Sequence, residues 1–478
     1  MWLGSVRGEL DGPPGKVAVG IVNALDLGAG GRINSGSYGS WEPVLGQRLL
    51  QTGIIMAAIE RIVERRLAGL AVPLRVRLPS GRRLGSEEAR VEIVFRDNAA
   101  LARLARGNLG ALGGEVVAGR VEIEGDMHAL MEVVAGLVPA DGQPIRPHPL
   151  RRAWWRLLSA LRHSRDRDAA QIQFHYDVSD AFYALWLDPL RVYSCAYFRT
   201  PDMDLAAAQV AKLDLICRKL DLRPGERFVD IGSGWGGLLL HAAEHYGVDA
   251  TGITLSRNQF DHVNRLIAER GLGGRVRVHL CDYRDLQPDA PFDKLASVGM
   301  FEHVGRVNML TYFRRLRELL RPGGLALNHG ITVTGVDDAI VGGGLGDFIE
   351  DYIFPGGELI HVSHAIRVLS QAGLEMVDTE NLRPHYARTL WCWSDRLEAR
   401  LPEAEQVLRQ SMDPERAGQV LRAYRLYLAG CALGFEQSWT SLYQILMTRP
   451  DGDCGPPDLP GARADYPFRR DYIYAPRG

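Results

Sequence analysis

The chain has 478 residues, of which 46% are hydrophobic and 24% charged, and its formal net charge at pH 7 is -2. This balance is typical of a packed soluble protein, and the length predicts two or three domains. The near-neutral charge gives no general attraction to nucleic acid, so nucleic acid is not an expected partner. The six cysteines are scattered, which favours reduced thiols in a cytoplasmic protein. No apolar run reaches the roughly 18 residues of a membrane span.

The N-terminal third predicts an extension followed by a small domain without a chemical motif. Residues 1–42 are rich in Gly, Ser and Asn and predict a loosely ordered extension. Residues 43–140 predict an α+β domain. Its predicted elements are a helix near Leu49–Leu70, strands at Leu74–Leu78, Val91–Phe95 and Arg120–Glu124, and a helix over Asp126–Val138.

Residues 141–171 predict a basic, amphipathic linker. Trp154, Leu157, Leu158 and Leu161 fall at i, i+3, i+4 and i+7, and arginines surround them. An apolar stripe on a cationic helix is the pattern of a helix that lies on an anionic membrane surface. The alternative is an interdomain helix that packs the same stripe against protein, and the sequence leaves both open.

Residues 172–446 predict an α/β domain with a Rossmann-like doubly wound sheet, and residues 447–478 predict a tail. In the first βα unit, Phe228–Gly237, a short strand enters a turn that contains Gly232, Gly234 and Gly236. Glycines let the backbone approach a ligand where a Cβ would collide, and the following helix points its N-terminus at that ligand. Further predicted elements are strands at Val248–Ile253, Arg275–Leu280, Lys294–Val298 and Leu325–Asn328, and helices at Met309–Leu320, Ser394–Arg409 and Glu415–Trp439.

The positions of the acidic residues favour S-adenosylmethionine over a nicotinamide dinucleotide as the ligand. A dinucleotide fold places an acid at the end of the second strand, about 20 residues after the glycines. Here that strand ends in Thr254-Leu255-Ser256-Arg257, without an acid. Instead Asp230 precedes the glycines, and the third strand ends in Cys281-Asp282-Tyr283, which suits the amino group and ring face of adenine.

Two candidate catalytic residues follow the fourth and fifth strands. Glu302 comes after Lys294–Val298, and His329 comes after Leu325–Asn328. Open α/β sheets bind ligands at the carboxyl ends of their strands, so we expect both side chains to face one pocket. There the carboxylate accepts a proton, and the histidine donates one or holds an anion. The alternatives are an acid at a helix N-terminus and a structural histidine at a strand end.

The motifs of residues 172–446 resemble, in amino-acid sequence and in order along the chain, those of the cyclopropane-fatty-acyl-phospholipid synthase family. That family includes the mycolic acid cyclopropane synthases. The strings that carry the resemblance are His175-Tyr176-Asp177, Tyr193-Ser194-Cys195-Ala196-Tyr197-Phe198, Asp230-Ile231-Gly232 with Gly234-Trp235-Gly236-Gly237, Thr254-Leu255-Ser256, Asp282-Tyr283-Arg284-Asp285-Leu286, Met300-Phe301-Glu302-His303-Val304-Gly305, Tyr352-Ile353-Phe354-Pro355-Gly356-Gly357 and His385-Tyr386-Ala387. So many strings in one order make the resemblance specific.

The resemblance implies a class I methyltransferase fold, two bound small molecules and a set of site residues. For S-adenosylmethionine it implies Tyr193, Ser194, Asp230, Gly232, Gly234, Gly236, Thr254, Leu255, Ser256, Gln259, Asp282 and Tyr283. It implies a bicarbonate ion held by Cys195, Glu302, His329, Tyr386 and the backbone near Ile331, while Cys431 matches a cysteine once assigned to the family's active site. Residues 43–140 resemble the family's small lipid-associated domain, which implies an intact phospholipid as substrate.

The implied reaction adds a methylene across the cis double bond of an unsaturated phospholipid acyl chain. An isolated C=C is a poor nucleophile, so the sulfonium methyl must be held in line with it inside a dry pocket. Aromatic walls face the resulting carbocation, and bicarbonate removes a proton from the transferred methyl. One alternative is a fatty acyl methyltransferase that yields a methylene- or methyl-branched chain, and another is a non-catalytic lipid-binding protein.

The remaining expectations concern location and partners. A cytoplasmic protein that associates peripherally with an anionic membrane surface fits the predicted linker. No metal is expected, because no His, Cys or Asp cluster has ligand spacing. A homodimer is one oligomeric state that the sequence leaves open.

Overall fold

The structure, a computed structural model, divides into two compact units, Met1–Ala140 and Asp141–Gly478. The described residues are 57, 60–65, 67–70, 72–105, 109–137, 179–335, 348, 349, 352, 353, 358–453, 460–463, 466, 467 and 469–474. The predicted extension 1–42, the linker 141–171 with its Trp154 stripe, and the His175-Tyr176-Asp177 string lie outside these residues.

The first unit contains the predicted small α+β fold. The strands are β1 Arg75–Arg77, β2 Arg83–Gly85, β3 Val91–Phe95 and β4 Val121–Gly125, and the helices are α1 Asn98–Ala105, α2 Leu109–Val117 and α3 Met127–Leu137. The sheet has the strand order β2-β1-β3-β4, in which β1 runs parallel to β3 and antiparallel to β2. All five residues of β3 are buried, and α3 buries Met127, Leu130 and Met131. These methionines therefore belong to the core, as their helical spacing predicts.

The second unit contains a seven-stranded sheet. The strands are β5 Arg227–Ile231, β6 Asp249–Thr254, β7 Val276–Leu280, β8 Phe292–Val298, β9 Leu320–Val333, β10 Glu375–Asn381 and β11 Thr440–Thr448. Their order in the sheet is β10-β11-β9-β8-β5-β6-β7. Strands β5 to β9 pair in parallel, while β11 pairs antiparallel with both β9 and β10. A short antiparallel pair follows, β12 Asp451–Asp453 and β13 Pro460–Arg463.

Helices cover both faces of this sheet, as a parallel sheet requires. The helices of the second unit are α4 Asp180–Trp186, α5 Leu205–Lys219, α6 Gly237–Tyr246, α7 Arg257–Glu269, α8 Met309–Leu319, α9 Val362–Gln371, α10 Arg383–Glu398, α11 Leu401–Leu408 and α12 Pro414–Glu436. Alternate residues of β5 enter different cores: Phe228 packs with Leu213 of α5, and Val229 with Phe313 of α8. The result is the predicted doubly wound, Rossmann-like architecture.

The structure corrects three sequence-based boundaries. The fifth strand was predicted to begin after Pro322-Gly323-Gly324 and to end at Asn328, whereas β9 runs from Leu320 to Val333 because β11 pairs with it along Leu325–Val333. The predicted helix Ser394–Arg409 is two helices, since Pro402 cannot continue α10 and instead occupies the first turn of α11.

The third correction concerns the tail that was predicted from residue 447. Strand β11 continues to Thr448, so the predicted boundary falls inside the sheet. Farther along, Ile473 is buried, and the hydroxyl of Tyr472 donates a hydrogen bond to the carbonyl of Lys219 at 3.2 Å. Residues near Ile473 therefore contribute to the core of the second unit.

Candidate active site

A cavity of about 160 Å³ lies at the carboxyl ends of β5, β6, β7 and β8. Nine of the predicted cofactor residues line it: Tyr193, Asp230, Gly232, Gly234, Thr254, Leu255, Gln259, Asp282 and Tyr283. The other three support its wall without lining it. Ser194 accepts a hydrogen bond from Lys212, Gly236 begins α6 in a left-handed conformation, and Ser256 caps α7 by accepting from the backbone of Gln259.

The glycine-rich turn leaves space that a side chain would fill. Gly232 has a φ of 78°, and a Cβ there would lie 3.3 Å from the Cβ of Met300, another residue of the cavity wall. Gly236 has a φ of 85°, and a Cβ there would lie 3.0 Å from Val263 of α7. The first glycine thus keeps the cavity open, and the second allows α6 and α7 to approach closely.

Asp230 is the buried carboxylate of this cavity. It is 2% exposed, and its Oδ1 atom has no hydrogen-bond partner within the described part of the chain. Burial raises its pKa to about 7, although the Lys212 ammonium acts in the opposite direction. A buried carboxylate oxygen without a donor is costly, so Asp230 is suited to receive a positively charged ligand group.

Lys212 is a functional candidate that the sequence analysis missed. It lies on α5, is 1% exposed, lines the cavity, and donates a hydrogen bond of 2.9 Å from Nζ to the hydroxyl of Ser194. Burial lowers its pKa to about 8, against the opposing effect of Asp188 and other acidic groups. The available signal was its i, i+4 spacing to Ile216, which places it on the apolar face of the helix.

Glu302 lies in a single 3₁₀ turn, Phe301–His303, that follows β8. Its Oε1 atom accepts a hydrogen bond of 2.6 Å from the backbone N–H of Ile331 on β9, and its Oε2 atom has no partner among the described residues. Burial raises the pKa of this carboxyl group to about 7. Glu302 is therefore fixed by one oxygen and has the other available for a ligand or a proton.

His329 lies inside β9, which corrects its predicted place after a strand end. It pairs with Val298, the last residue of β8, and with Gln444 on β11. Gln444 Nε2 lies 3.2 Å from His329 Nδ1, while His329 Nε2 has no partner among the described residues. Burial lowers the pKa of His329 well below its ordinary value, and the positive charges of Lys212 and Lys219 lower it further. The lowered pKa favours the neutral ring, and an amide N–H donated by Gln444 to Nδ1 requires the ring proton on Nε2.

Tyr386, another of the candidates, belongs to a cluster of aromatic side chains. Tyr386 of α10 packs against Phe435 and Trp393, with ring centroids 4.7 and 6.1 Å away, and Trp393 lies 5.4 Å from Tyr193 of the cavity wall. The cluster, here called the aromatic cluster, consists of Tyr183, Trp186, Tyr193, Tyr386, Trp393, Tyr424 and Tyr427. It connects the cavity to Tyr386.

Both candidate cysteines are held as thiols. Cys195 is fully buried, and its Sγ donates to the carbonyl of Ala196 at 3.2 Å; burial raises its pKa. Burial also raises the pKa of Cys431, on α12, to about 12. A thiol that does not ionise is a hydrogen-bond donor rather than a nucleophile.

The cofactor cavity itself is not lined by any of the five catalytic candidates, Cys195, Glu302, His329, Tyr386 and Cys431. Met300 and His303, which flank Glu302 in the sequence, do line it. The carboxylate of Glu302 is hydrogen-bonded to Ile331, which lies two residues beyond His329 on β9. Glu302 therefore lies next to the cavity rather than inside it. Gln444 is a further residue that the sequence analysis missed, because nothing local distinguishes a glutamine in a strand.

The doubly wound sheet, the glycine-rich turn and the cavity at the strand ends define a class I S-adenosylmethionine-dependent methyltransferase. Comparison with known proteins makes this assignment narrower. The family described as mycolic acid cyclopropane synthetase matches residues 163–445, and the chain belongs to this family. It is a methyltransferase of the cyclopropane synthase type.

The relatives of this chain include fatty acid methyltransferases and mycolic acid synthases. A protein of Pseudomonas putida named "Probable fatty acid methyltransferase" is 43% identical over 405 residues, covering 84% of this chain and 97% of its own. Cyclopropane mycolic acid synthase 1 of Mycobacterium tuberculosis is 37% identical over 284 residues, covering 58% of this chain and 96% of its own. The crystal structure of mycolic acid cyclopropane synthase CmaA1 with SAH and CTAB is 36% identical, with a TM-score of 0.54, and covers 59% of this chain and 98% of its own.

Within the described residues, no helix is long and apolar enough to cross a membrane.

Proposed function

We propose that the protein transfers a methylene group from S-adenosylmethionine to the cis double bond of an unsaturated phospholipid acyl chain, forming a cyclopropane ring with bicarbonate as the base. The observation that carries the proposal is a pair of buried polar atoms, Glu302 Oε2 and His329 Nε2, that lack partners among the described residues of a cyclopropane-synthase-type methyltransferase. Buried polar atoms of this kind are rare unless a ligand satisfies them.

The cavity fits S-adenosylmethionine, which supplies an electrophilic methyl group when bound. Gly232 keeps the cavity open, because a Cβ there would contact Met300. Tyr283 and Asp282 lie at the end of β7, where they provide a ring face and a carboxylate for adenosine. Asp230, whose Oδ1 atom has no hydrogen-bond partner among the described residues, lies two strands away on β5 and also lines the cavity.

Glu302 and His329 suit a small hydrogen-bonding anion, which supplies a base when it is bicarbonate. His329 presents Nε2–H as a donor because Gln444 donates to Nδ1. Glu302 presents Oε2 as an acceptor for the acidic hydrogen of such an anion. Cys195 and Tyr386 complete the proposed set, and the thiol of Cys195 remains protonated because of its burial.

The aromatic cluster supplies the environment that the reaction requires. Tyr183 and Trp186 are fully buried, and Trp393 is likewise inaccessible to solvent. Aromatic π faces attract positive charge, and a site without water keeps a carbocation from being quenched. The cluster continues from Tyr193 on the cavity wall to Tyr386, so it favours chemistry at an apolar substrate.

Support for a phospholipid substrate comes from the extent of the two alignments. The fatty acid methyltransferase of P. putida aligns over 405 residues, whereas the cyclopropane mycolic acid synthase aligns over 284. The additional similarity extends beyond residues 163–445, which favours a role for the N-terminal unit in the choice of lipid. In this proposal the enzyme works in the cytoplasm at an anionic membrane surface, to which the basic linker 141–171 binds.

One rival product remains, because the relative with the longest alignment given above is named a fatty acid methyltransferase. The same methyl transfer would be followed by a hydride shift from the methyl-bearing carbon to the neighbouring cationic carbon. Loss of a proton from the transferred methyl would then leave a methylene branch, whereas loss from another carbon would leave a methyl-branched alkene. Ring closure requires that a base remove the proton from the transferred methyl before a hydride shift occurs, and the anion proposed at Glu302 and His329 supplies that base.

The test is mass spectrometry of phospholipid acyl chains after the purified protein has acted on vesicles of a monounsaturated anionic phospholipid with S-adenosylmethionine and bicarbonate. A gain of one CH2 that resists mild hydrogenation identifies a cyclopropane. A gain that hydrogenation increases by two hydrogens identifies a methylene branch. No gain, together with intact cofactor binding, contradicts the proposed enzyme and favours a lipid-binding protein.

A further inference from the structure

Glu358 contacts the chain around Glu302 through both its main chain and its side chain. Its backbone N–H donates to the carbonyl of Glu302 at 3.1 Å. Its Oε2 atom accepts a hydrogen bond of 2.8 Å from the backbone N–H of Arg306, the first residue of a second 3₁₀ turn, Arg306–Asn308. Its Oε1 atom lies 3.6 Å from Arg306 Nε. One residue thus holds both of the turns that follow β8.

The segment that contains Glu358 is itself attached to the sheet. Ile360 is fully buried, and its carbonyl accepts a hydrogen bond of 3.1 Å from the backbone N–H of Val333, the last residue of β9. His361 forms a parallel bridge with Val333 and caps α9 by accepting from the backbone of Ser363. Glu358 therefore precedes a segment whose place beside the end of β9 is fixed.

These contacts hold Glu302 at two points. Its carboxylate accepts from Ile331 on β9, and its carbonyl accepts from Glu358, whose segment is hydrogen-bonded to Val333 on the same strand. A movement of the turn would change the direction of Glu302 Oε2, the atom that has no partner among the described residues. A displacement of about 1 Å in a reacting group can lower a rate about 100-fold.

We propose that Glu358 is a positioning residue that, through its hydrogen bonds to Glu302 and Arg306, directs Glu302 Oε2 at the bound anion. The inference rests on the role of Glu302 in the proposed function. The hydrogen bond to the backbone N–H of Arg306 is the effective side-chain contact, because a carboxylate is a strong acceptor for such a group. The ion pair contributes little, since the side chain of Glu358 is 29% exposed and the guanidinium lies 3.6 Å away.

Three variants of the full-length protein test the inference. Glu358→Ala removes the hydrogen bond to Arg306, whereas Glu358→Gln keeps an acceptor oxygen. Both variants lack the carboxyl group, so a difference between them reports the hydrogen bond and not the charge. Glu244→Ala is the matched control, because Glu244 has a side chain that is 30% exposed and pairs with Arg270 at 3.1 Å on a different surface element, α6.

Hydrogen exchange of the backbone amide of Ile331 is the direct readout, because that N–H donates to Glu302. Glu358→Ala is expected to accelerate this exchange about 10- to 100-fold, the effect of losing a hydrogen bond to a charged group. Glu358→Gln and Glu244→Ala should change it less than about threefold.

The lipid assay supplies a second readout. Glu358→Ala should lower turnover about 10- to 100-fold and raise the bicarbonate concentration that gives half-maximal turnover, while S-adenosylhomocysteine affinity stays within about twofold. A loss of folded protein alone would lower turnover and leave that bicarbonate concentration unchanged. Glu358→Gln should restore most of the turnover.

Wild-type exchange at Ile331 in Glu358→Ala would overturn the inference, and so would equal losses in Glu358→Ala and Glu358→Gln. If Glu358→Ala does not fold, the wild-type protein decides, because exchange of the Arg306 amide at the rate of an unstructured peptide would also overturn the inference. Failure of the proposed function is distinguishable: a wild-type protein without lipid turnover refutes that function, while exchange at Ile331 still decides whether Glu358 positions Glu302.

Discussion

The carboxylate of Glu302 is held by the backbone N–H of Ile331 at 2.6 Å. This hydrogen bond ties the turn after β8 to β9, two residues beyond His329. The family resemblance implies that the backbone near Ile331 binds bicarbonate. In this structure the N–H of Ile331 donates to Glu302 instead. Glu302 consequently offers Oε2, rather than both oxygens, to an incoming ligand.

Replacing Glu302 with glutamine removes the negative charge but keeps the size and position of the side chain. Glu302→Gln keeps an oxygen that can accept from Ile331 but replaces Oε2 with an amide NH2 group, which cannot accept the acidic hydrogen of the anion that acts as the base. We expect unchanged S-adenosylhomocysteine affinity and a loss of turnover of about 10²- to 10⁴-fold, the usual effect of removing acid–base function. Calorimetry and lipid mass spectrometry measure the two quantities. Glu269→Gln, at an exposed position on α7, serves as the control. Full activity of Glu302→Gln would refute the role.

The raised pKa of Glu302 predicts a pH-dependent stability. The folded protein holds this proton up to a pKa of about 7, whereas the unfolded chain loses it near the ordinary value of 4.5. Between those values the unfolded state is favoured increasingly as pH rises, by ~3 kcal/mol in total. Glu302→Gln removes this effect, so its midpoint of thermal unfolding should exceed that of the wild type more at pH 8 than at pH 5. A difference that does not change with pH would contradict the prediction.

The glycine at 232 should be required for cofactor binding and not merely for backbone freedom. Gly232→Ala and Gly225→Ala both place a side chain at a positive φ, of 78° and 82°, which costs roughly 1–2 kcal/mol in each case. Only at position 232 would the Cβ meet a cavity residue, Met300. We expect similar losses of stability but a loss of S-adenosylhomocysteine binding for Gly232→Ala alone. Equal affinities in calorimetry would show that the cavity tolerates the methyl group.

Gly330 controls the placement of the turn that carries Glu302. A Cβ at this position would lie 2.8 Å from Cδ1 of Phe301, a buried ring next to Glu302. Gly330→Ala should therefore destabilise the protein by about 1–3 kcal/mol, as overpacking does, and reduce turnover with little effect on cofactor affinity. Thermal unfolding and lipid assays measure both effects. Gly273→Ala, where a Cβ meets nothing within 4 Å, is the control. A fully active Gly330→Ala would show that the turn can move freely.

The sequence by itself determined the features that depend on neighbouring residues. The strand and glycine turn of Phe228–Gly237 were predicted because φ freedom and a short apolar run are local properties. Strand β3 was predicted with its observed ends, Val91 and Phe95, for the same reason. The family and its cofactor also followed from short strings in a fixed order.

Only the tertiary structure decided which distant side chains meet. His329 and Gln444 are 115 positions apart, and they come together because β11 pairs antiparallel with β9. The same pairing extends β9 past Asn328, so that Ile331 can reach Glu302. Lys212 acquires its significance only when α5 packs onto the sheet and removes its ammonium from water. Such contacts follow from long-range pairing and burial, which no local pattern encodes.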